Sequence, residues 1–552
     1  MISYLESFSN KVFFFLLFLL TFLTYSQGLK NEFVYDDAIV IQKEERTFDP
    51  VNMLQVFQEP HYPYLPYYRP VTRLTFIFEK TFFSDPGPLV FHLTNIFIAA
   101  GLGIVIFKLF SLKAFKLPRS LAFVGALLFV LHPITSSAVY PAASGRETLL
   151  PVFLMALSLY YFFKGGKKEY LFSLLFFVLA IFGKEQAIVF PFILLFAGVL
   201  GLTNYRLGKH PKNWLVRYGP FFTALMVYLL LRWHIFKGQE YVFGNDPLLI
   251  VAAPLYALQQ SLLPSLELRY EPHTISSWLS LSRLVLLLVG LVIIGWQAIQ
   301  SKGRLKTLLF FVGIFFIALL PNANILFQEA TFDERYILLS HVGVVGVIVT
   351  LLSRVWSAKS QLLSYCVFLI VILLAGISLH RATYFQNNLV FAQQWVATNP
   401  DYYLPHYNVA RSYQEKGEMG KAIQHYKKSI ELNPSFTSSY LNLGIVYYLQ
   451  NNFKNAFTNF RQYIILEPDS PGGYYHLGLL FLQTEELERA REAFLKTVSI
   501  APDFSEAYNN LGIVYEGLDE PEKAKEAYLR ALESDPDNIS ARENLESLDK
   551  NP

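Results

Sequence analysis

Between residues 12 and 379 the chain carries one long apolar segment after another, and this limits its fold more than any other feature. The segments lie near 12–25, 90–108, 120–132, 147–163, 170–183, 186–202, 215–233, 283–299, 306–320, 336–353 and 361–379. A helix needs about 20 residues to cross a bilayer, so these predict about eleven spans, the first, third and fifth of them short and tilted or joined to polar ends. Backbone amides inside lipid have no water to bond, so each crossing segment has to satisfy them internally as a helix. Composition agrees: 53% of the 552 residues are hydrophobic and 16% are charged, which is too apolar for one soluble domain. The first run lacks a small-residue cleavage site followed by a soluble domain, and is read as a retained span.

Basic residues mark every second loop. They collect at Lys108, Lys113, Lys116 and Arg119; at Lys164, Lys167 and Lys168; at Arg206, Lys209, Lys212 and Arg217; at Lys302, Arg304 and Lys306; and at Arg354 and Lys359. Loops rich in Lys and Arg stay cytoplasmic. The intervening loops, and everything after the last span, are then expected in the periplasm, or in the lumen of the endoplasmic reticulum in a eukaryote. The apolar stretch 247–263 is the exception, because a crossing there would swap every later loop and break the charge pattern. It is expected as an interfacial or re-entrant helix.

From about residue 400 the composition turns polar and prolines fall at a constant step of 34: Pro400, Pro434, Pro468, Pro502 and Pro536. That step is the tetratricopeptide period, and this region resembles such repeats. Tyr440, Leu443, Gly444, Tyr447, Ala456, Phe460 and Pro468 recur as Tyr508, Leu511, Gly512, Tyr515, Ala524, Tyr528 and Pro536. Small residues let paired helices approach, aromatics fill the gap, and each proline ends a unit. The expected class is all-α: a polytopic helical membrane domain over 1–382, a linker over 383–402, four repeats over 403–536 forming an α-solenoid, and a capping helix and tail over 537–552.

In so apolar a chain the polar motifs beside spans carry the information, and they fall on the loops opposite the basic ones. The first such loop reads Phe33-Val34-Tyr35-Asp36-Asp37-Ala38 and continues to Tyr68-Arg69-Pro70-Val71-Thr72-Arg73. Later loops hold His132-Pro133 with Gly145-Arg146-Glu147, then Gly183-Lys184-Glu185, then Asp333-Glu334-Arg335-Tyr336. Two adjacent carboxylates disfavour each other's ionised form, so Asp36 or Asp37 could act as a general base, or simply cap a helix. Arg69, Arg73, Arg146 and Arg335 offer guanidinium forks for a phosphate. His132 could bind a ligand or end a helix, Lys184 and Glu185 could contact substrate or form a snorkelling ion pair, and Arg335 could instead pair with Asp333 or Glu334. No Walker, Rossmann, zinc or Ser-His-Asp pattern is present. A divalent metal near Asp36 and Asp37 has no supporting ligand spacing.

In this order, and followed by repeats, these motifs resemble the transmembrane and tetratricopeptide-repeat-containing O-mannosyltransferases of the GT-C glycosyltransferase fold. The resemblance also takes in His92-Leu93-Thr94-Asn95, Leu263-Pro264 and Pro321-Asn322-Ala323-Asn324-Ile325, and so covers nearly the whole chain. It implies a polyprenyl-phosphate sugar donor, mannose in the best-known members, and a Ser or Thr acceptor on protein. It further implies Asp36 as general base, Asp37 as its positioning partner, and an arginine such as Arg69 or Arg146 as phosphate clamp, with His132, Glu147, Lys184, Glu185 and Arg335 also on the donor. Glu147 stands where an aspartate is expected.

Asn408, Asn442 and Asn510 occupy one position of three repeats, with His476 at that position in the fourth. Side-chain amides there could bind an extended acceptor peptide, or serve packing between repeats. The formal charge of +3 and the single Cys366 point to neither a nucleic-acid partner nor a disulfide framework. Two rival readings share these features: a GT-C transferase acting on an envelope glycan or lipid, and a non-enzymatic membrane scaffold. The short loops and four repeats favour a bacterial inner-membrane protein with periplasmic repeats.

Overall fold

The computed structural model describes residues 6–34, 36–37, 40–41, 49–59, 67–83, 86–203, 211–237, 247–265, 271–272, 305–321, 331–332, 334–356 and 361–550. The chain divides into two compact units, Met1–Thr398 and Asn399–Pro552.

In the first unit the helices are α1 Asn10–Tyr25, α2 Pro50–Val56, α3 Pro70–Phe83, α4 Pro88–Phe110, α5 Arg119–Val130, α6 Pro133–Val139, α7 Ala143–Lys164 and α8 Lys167–Ile181. They continue as α9 Phe190–Val199, α10 Pro211–Ile235, α11 Pro247–Leu262, α12 Leu305–Leu319, α13 Leu338–Leu352, α14 Gln361–Arg381 and α15 Asn388–Thr398. Two residues, Glu271–Pro272, pair antiparallel with Thr331–Phe332.

Among the described residues, six helical stretches are long and apolar enough to cross a membrane: Asn10–Lys30, Pro88–Phe110, Ala143–Lys164, Leu215–Ile235, Glu334–Leu352 and Gln361–Phe385. A seventh arises if α5 and α6, bent by 55° at a short break, count as one span. The expected segments near 186–202 and 306–320 form the shorter apolar helices Glu185–Val199 and Leu305–Leu319. That near 170–183 forms the 15-residue α8, and that near 283–299 lies outside the described residues, as do Tyr35, Ala38, Arg206, Lys209, Lys302, Arg304, Asn322, Asp333 and Lys359. The stretch 247–263 is helical as α11, with Pro254 inside it. Segment 383–402 contains α15, and the division between units falls after Thr398.

The apolar side chains sort by neighbour. α4 packs between α1, α5 and α7, while α12 lies against α13. A Cβ on Gly343 would come within 2.6 Å of the Phe311 carbonyl and the Phe315 amide, so only glycine admits that approach. Leu362, Leu369, Ile372 and Leu373 on α14 and Leu215, Leu230 and Trp233 on α10 are exposed. Such a density of exposed aliphatic surface suits lipid contact rather than water.

In the second unit, four antiparallel helix pairs follow one another: α16 Tyr403–Glu415 with α17 Met419–Leu432, α18 Thr437–Leu449 with α19 Phe453–Leu466, α20 Pro471–Gln483 with α21 Leu487–Ile500, and α22 Ser505–Gly517 with α23 Pro521–Ser534. A ninth helix, α24 Ile539–Lys550, closes the stack. Gly444, Gly478 and Gly512 each face an aromatic ring, of Phe460, Phe494 and Tyr528, so tightly that no Cβ fits. Each pair turns through one left-handed residue at the same repeat position, Gly417, Asn451, Glu485 and Asp519.

Candidate functional site

The site is assembled where the loops after α1 and α8 meet the start of α3, the first turn of α7 and the segment before α13. Asp36 and Asp37 follow α1 closely. The Asp37 carboxylate accepts the backbone N–H of Val34 at 3.0 Å, of Ala142 at 3.2 Å and of Ala143 at 2.7 Å. It therefore closes its own turn and caps the N-terminus of α7, where unpaired amides and the helix dipole favour an anion. Burial pushes its pKa up to about 6, against those three amides and the charge of Arg335. Asp36 is half-buried, and its carbonyl accepts from the Val40 N–H at 3.0 Å.

The start of α3 is tied to the loop after α8: Val71 N–H donates to the Phe182 carbonyl at 3.0 Å and the Thr72 hydroxyl to the Gly183 carbonyl at 2.9 Å. This brings Arg69 against Glu185, whose carboxylate takes Nε at 3.1 Å and Nη2 at 2.5 Å, while Nη1 pairs with Glu147. Burial works against the Arg69 charge, but Glu185 and Glu147 more than offset it and hold its pKa above the usual range. Glu185 thus pairs with Arg69, and Lys184 turns elsewhere. Its ammonium donates to the Thr148 hydroxyl at 3.1 Å and lies 4.4 Å from the centre of the Tyr336 ring. The Arg335 guanidinium lies 5.4 Å from the centre of that same ring. Lys184 and Arg335 are both buried, so one aromatic ring collects two desolvated cations, with Asp37 within electrostatic reach of the second.

Arg146 does not match the expected clamp. Gly145 allows the first turn of α7 to sit against the Ala138 carbonyl, 2.6 Å from where a Cβ would be, and Arg146 then turns into the protein. Nε donates to Asn95 Oδ1 at 2.9 Å, Nη1 to Glu79 at 2.5 Å and Nη2 to the Phe91 carbonyl at 2.9 Å, with Phe76 stacked 4.8 Å away. Every guanidinium nitrogen has a protein acceptor, and the side chain is fully buried. Arg73, on α3, pairs with Glu59 at 3.6 Å.

Glu334 pairs with Arg381 at 2.5 and 3.2 Å, not with its neighbour Arg335, and Arg381 also holds the Pro133 and Ser265 carbonyls. His132 Nδ1 accepts the Ile134 N–H at 3.1 Å and so starts α6 at the break in the span, with its ring 4.2 Å from that of His341. Among the described residues no group of three His, Cys, Asp or Glu gathers to hold a metal.

In the repeats the asparagines join neighbouring units. Asn442 Nδ2 donates to the Tyr407 hydroxyl at 3.1 Å and Asn510 Nδ2 to the Tyr475 hydroxyl at 3.2 Å, each partner standing 35 residues earlier. Asn544 in α24 continues the series onto Asn509 at 2.9 Å. His476 would face Leu441, which offers no acceptor, and it stacks on Phe460 instead, 5.4 Å apart at 15°. Burial lowers its pKa to about 4. The first member, Asn408, has no earlier repeat before it, and its buried Nδ2 has no hydrogen-bond partner.

Comparison with known proteins divides along the same line. Tetratricopeptide repeats occupy the C-terminal region. Three repeat models match there, at residues 410–451, 450–503 and 505–538. Protein O-mannosyl-transferase TMTC1 of Homo sapiens is 33% identical over 145 residues, which is 25% of this chain and 16% of that protein. The Mus musculus protein of the same name is 31% identical over 145 residues, 25% of this chain and 15% of its own length. The chain thus matches about one-sixth of the length of these curated relatives. Among solved structures, MamA is 26% identical over 27% of this chain and 81% of that one, with a TM-score of 0.25. A MamA fragment from Desulfovibrio magneticus RS-1 is 22% identical over 27% and 85%, with a TM-score of 0.26.

Glu79, His341, Arg381 and Asn544 escaped the sequence reading, and Asn95 entered it only as part of the His92-Leu93-Thr94-Asn95 stretch. Arg381 at the end of the last span was a visible signal, because an ionisable group in such a place seldom stands unpaired. Asn544 lies one further 34-residue step beyond Asn510.

Proposed function

We propose that the chain is an integral-membrane glycosyltransferase that moves a monosaccharide, mannose in the first instance, from a polyprenyl-phosphate donor to Ser or Thr of proteins on the non-cytoplasmic face. The observation that carries this reading is that two buried cations from loops far apart in sequence, Lys184 and Arg335, share the Tyr336 ring, with the Asp37 carboxylate within electrostatic reach of Arg335. The local similarity to protein O-mannosyl-transferases supports it.

Asp36 takes the proton of the acceptor hydroxyl as its oxygen attacks the anomeric carbon. The sugar–phosphate bond breaks, its electron pair leaves on the lipid phosphate, and the anomeric configuration inverts. Lys184 and Arg335 bind that phosphate and stabilise its growing charge, which a fixed cation in a water-poor site does strongly. Asp37 positions Asp36 by holding the loop to α7. Arg69, with Glu147 and Glu185, fixes the loop that presents Lys184, and Arg146 and His132 brace the helices behind it. The repeats hold the acceptor polypeptide.

The test is transfer of radiolabelled mannose from polyprenyl-phosphate mannose to membrane proteins by purified wild type and Asp36→Asn in the same lipid. Label on protein with wild type, lost in the variant, supports the reaction and the base. Equal labelling by both removes Asp36 from the mechanism, and no labelling by wild type removes mannose or protein from the reaction.

A further inference from the structure

Two residues depart together from the repeat register in the first hairpin of the solenoid. At the position of His406 the later repeats carry Tyr440, Tyr474 and Tyr508, and at the position of His425 they carry Asn459, Ala493 and Ala527. Only the first repeat has histidine at both, one on α16 and one on α17. The fold brings them together: the two Nδ1 atoms stand 3.1 Å apart, with the rings 5.4 Å between centres and 29° between planes.

We propose that His406 and His425 form a two-histidine site for a late first-row divalent transition metal such as Cu(II) or Zn(II). Imidazole nitrogens bind such ions at about 2.0–2.1 Å, so two ligands at roughly a right angle stand about 3 Å from each other. The observed separation is that chord. Metal-bound histidines also donate their remaining N–H to an acceptor that fixes the tautomer, and His406 Nε2 lies 2.9 Å from the Pro400 carbonyl. This bond leaves the His406 Nδ1 lone pair free for an ion seated beside the line between the two Nδ1 atoms. His406 is buried and His425 half-buried, so the pair is held by the hairpin yet open on one side.

No third His, Cys, Asp or Glu joins them among the described residues, so water or a donor from a bound chain completes the coordination. The Tyr413 ring lies 5.9 Å from that of His425, and the Lys421 ammonium over Tyr413 is paired with Glu418. Without metal, the same two nitrogens share one proton in a hydrogen bond. Metal takes the place of that proton, which moves to Nε2 of His425 as its Nδ1 becomes a ligand. This inference is independent of the transferase reading.

The chain has eleven histidines, so the experiment compares variants. Full-length protein in detergent, stripped with chelator, is titrated with Cu(II) alone and with Zn(II) alone at pH 7.5, by calorimetry and, for copper, electron paramagnetic resonance. His425→Asn restores the residue of the second repeat, and His406→Tyr that of the other three, so both suit the fold; circular dichroism checks this. Wild type should bind one ion with a two-nitrogen copper spectrum. Either variant should weaken that site about tenfold or more. Unchanged stoichiometry and affinity in a folded His425→Asn, or no binding by wild type, overturns the proposal.

Discussion

Replacing Arg146 by methionine removes the only ionic partner that Glu79 has among the described residues, and Glu79 Oε1 already lacks a hydrogen-bond partner there. The carboxylate would stay in a pocket walled by Phe76 and Phe91 with nothing to offset its desolvation. Breaking one side of a buried pair costs about 3–5 kcal/mol, whereas replacing both partners by apolar groups of similar size is often neutral. At about 2 °C per kcal/mol for a large domain, Arg146→Met should melt about 6–10 °C below wild type. The double variant Arg146→Met with Glu79→Leu should recover most of that loss, because its new side chains meet the two phenyl rings that now flank the guanidinium. Thermal unfolding of wild type, both single variants and the double in one detergent forms the cycle. A single variant as stable as wild type, or a double no better than the singles, would refute the structural role assigned here. A double variant that is stable but unable to bind lipid-linked sugar would return Arg146 to the donor site.

Asp37 should give stability a pH dependence. Its folded pKa, raised to about 6 by burial, lies above the ordinary carboxylate value, so its contribution is full in acid and is lost as pH rises through about 6. Relative to Asp37→Asn, wild type should therefore lose stability between about pH 4 and pH 6, read from paired melting curves; parallel curves would contradict the burial of an ionisable group there. Asn510→Ala and Tyr475→Phe should each destabilise the repeats by about 1 kcal/mol, with a coupling of the same size in the double variant; hydrogen exchange of α20 and α22 amides would measure it, and additive effects would dismiss the bond. Glu485 turns its hairpin at φ 58°, a conformation that disfavours side chains by about 1 kcal/mol. Glu485→Gly should slow exchange in α20 and α21, and faster exchange would show that the side chain serves the turn.

What the sequence by itself determined is what depends on short spacings. Apolar runs long enough to span lipid, the 34-residue step and the recurring glycine–aromatic positions all act within one helix or one hairpin, so the order of helices and the repeat pairs could be read before any coordinates. The sequence also singled out Asp36, Asp37, Lys184, Glu185 and Arg335 as polar positions beside apolar helices. Tertiary structure alone decided the partners. Arg69 reaches Glu147 and Glu185, 78 and 116 residues away, and Glu334 passes over its neighbour Arg335 to take Arg381. Arg146 and Arg69 looked alike as phosphate forks, but helix packing enclosed the first among Glu79, Asn95 and Phe91. The asparagines were legible as a series, but their partners, hydroxyls one repeat earlier, depended on how adjacent hairpins stack. A buried charge takes whichever opposite charge the packing leaves within about 4 Å, and that distance is set by the crossing of helices, which local sequence does not encode.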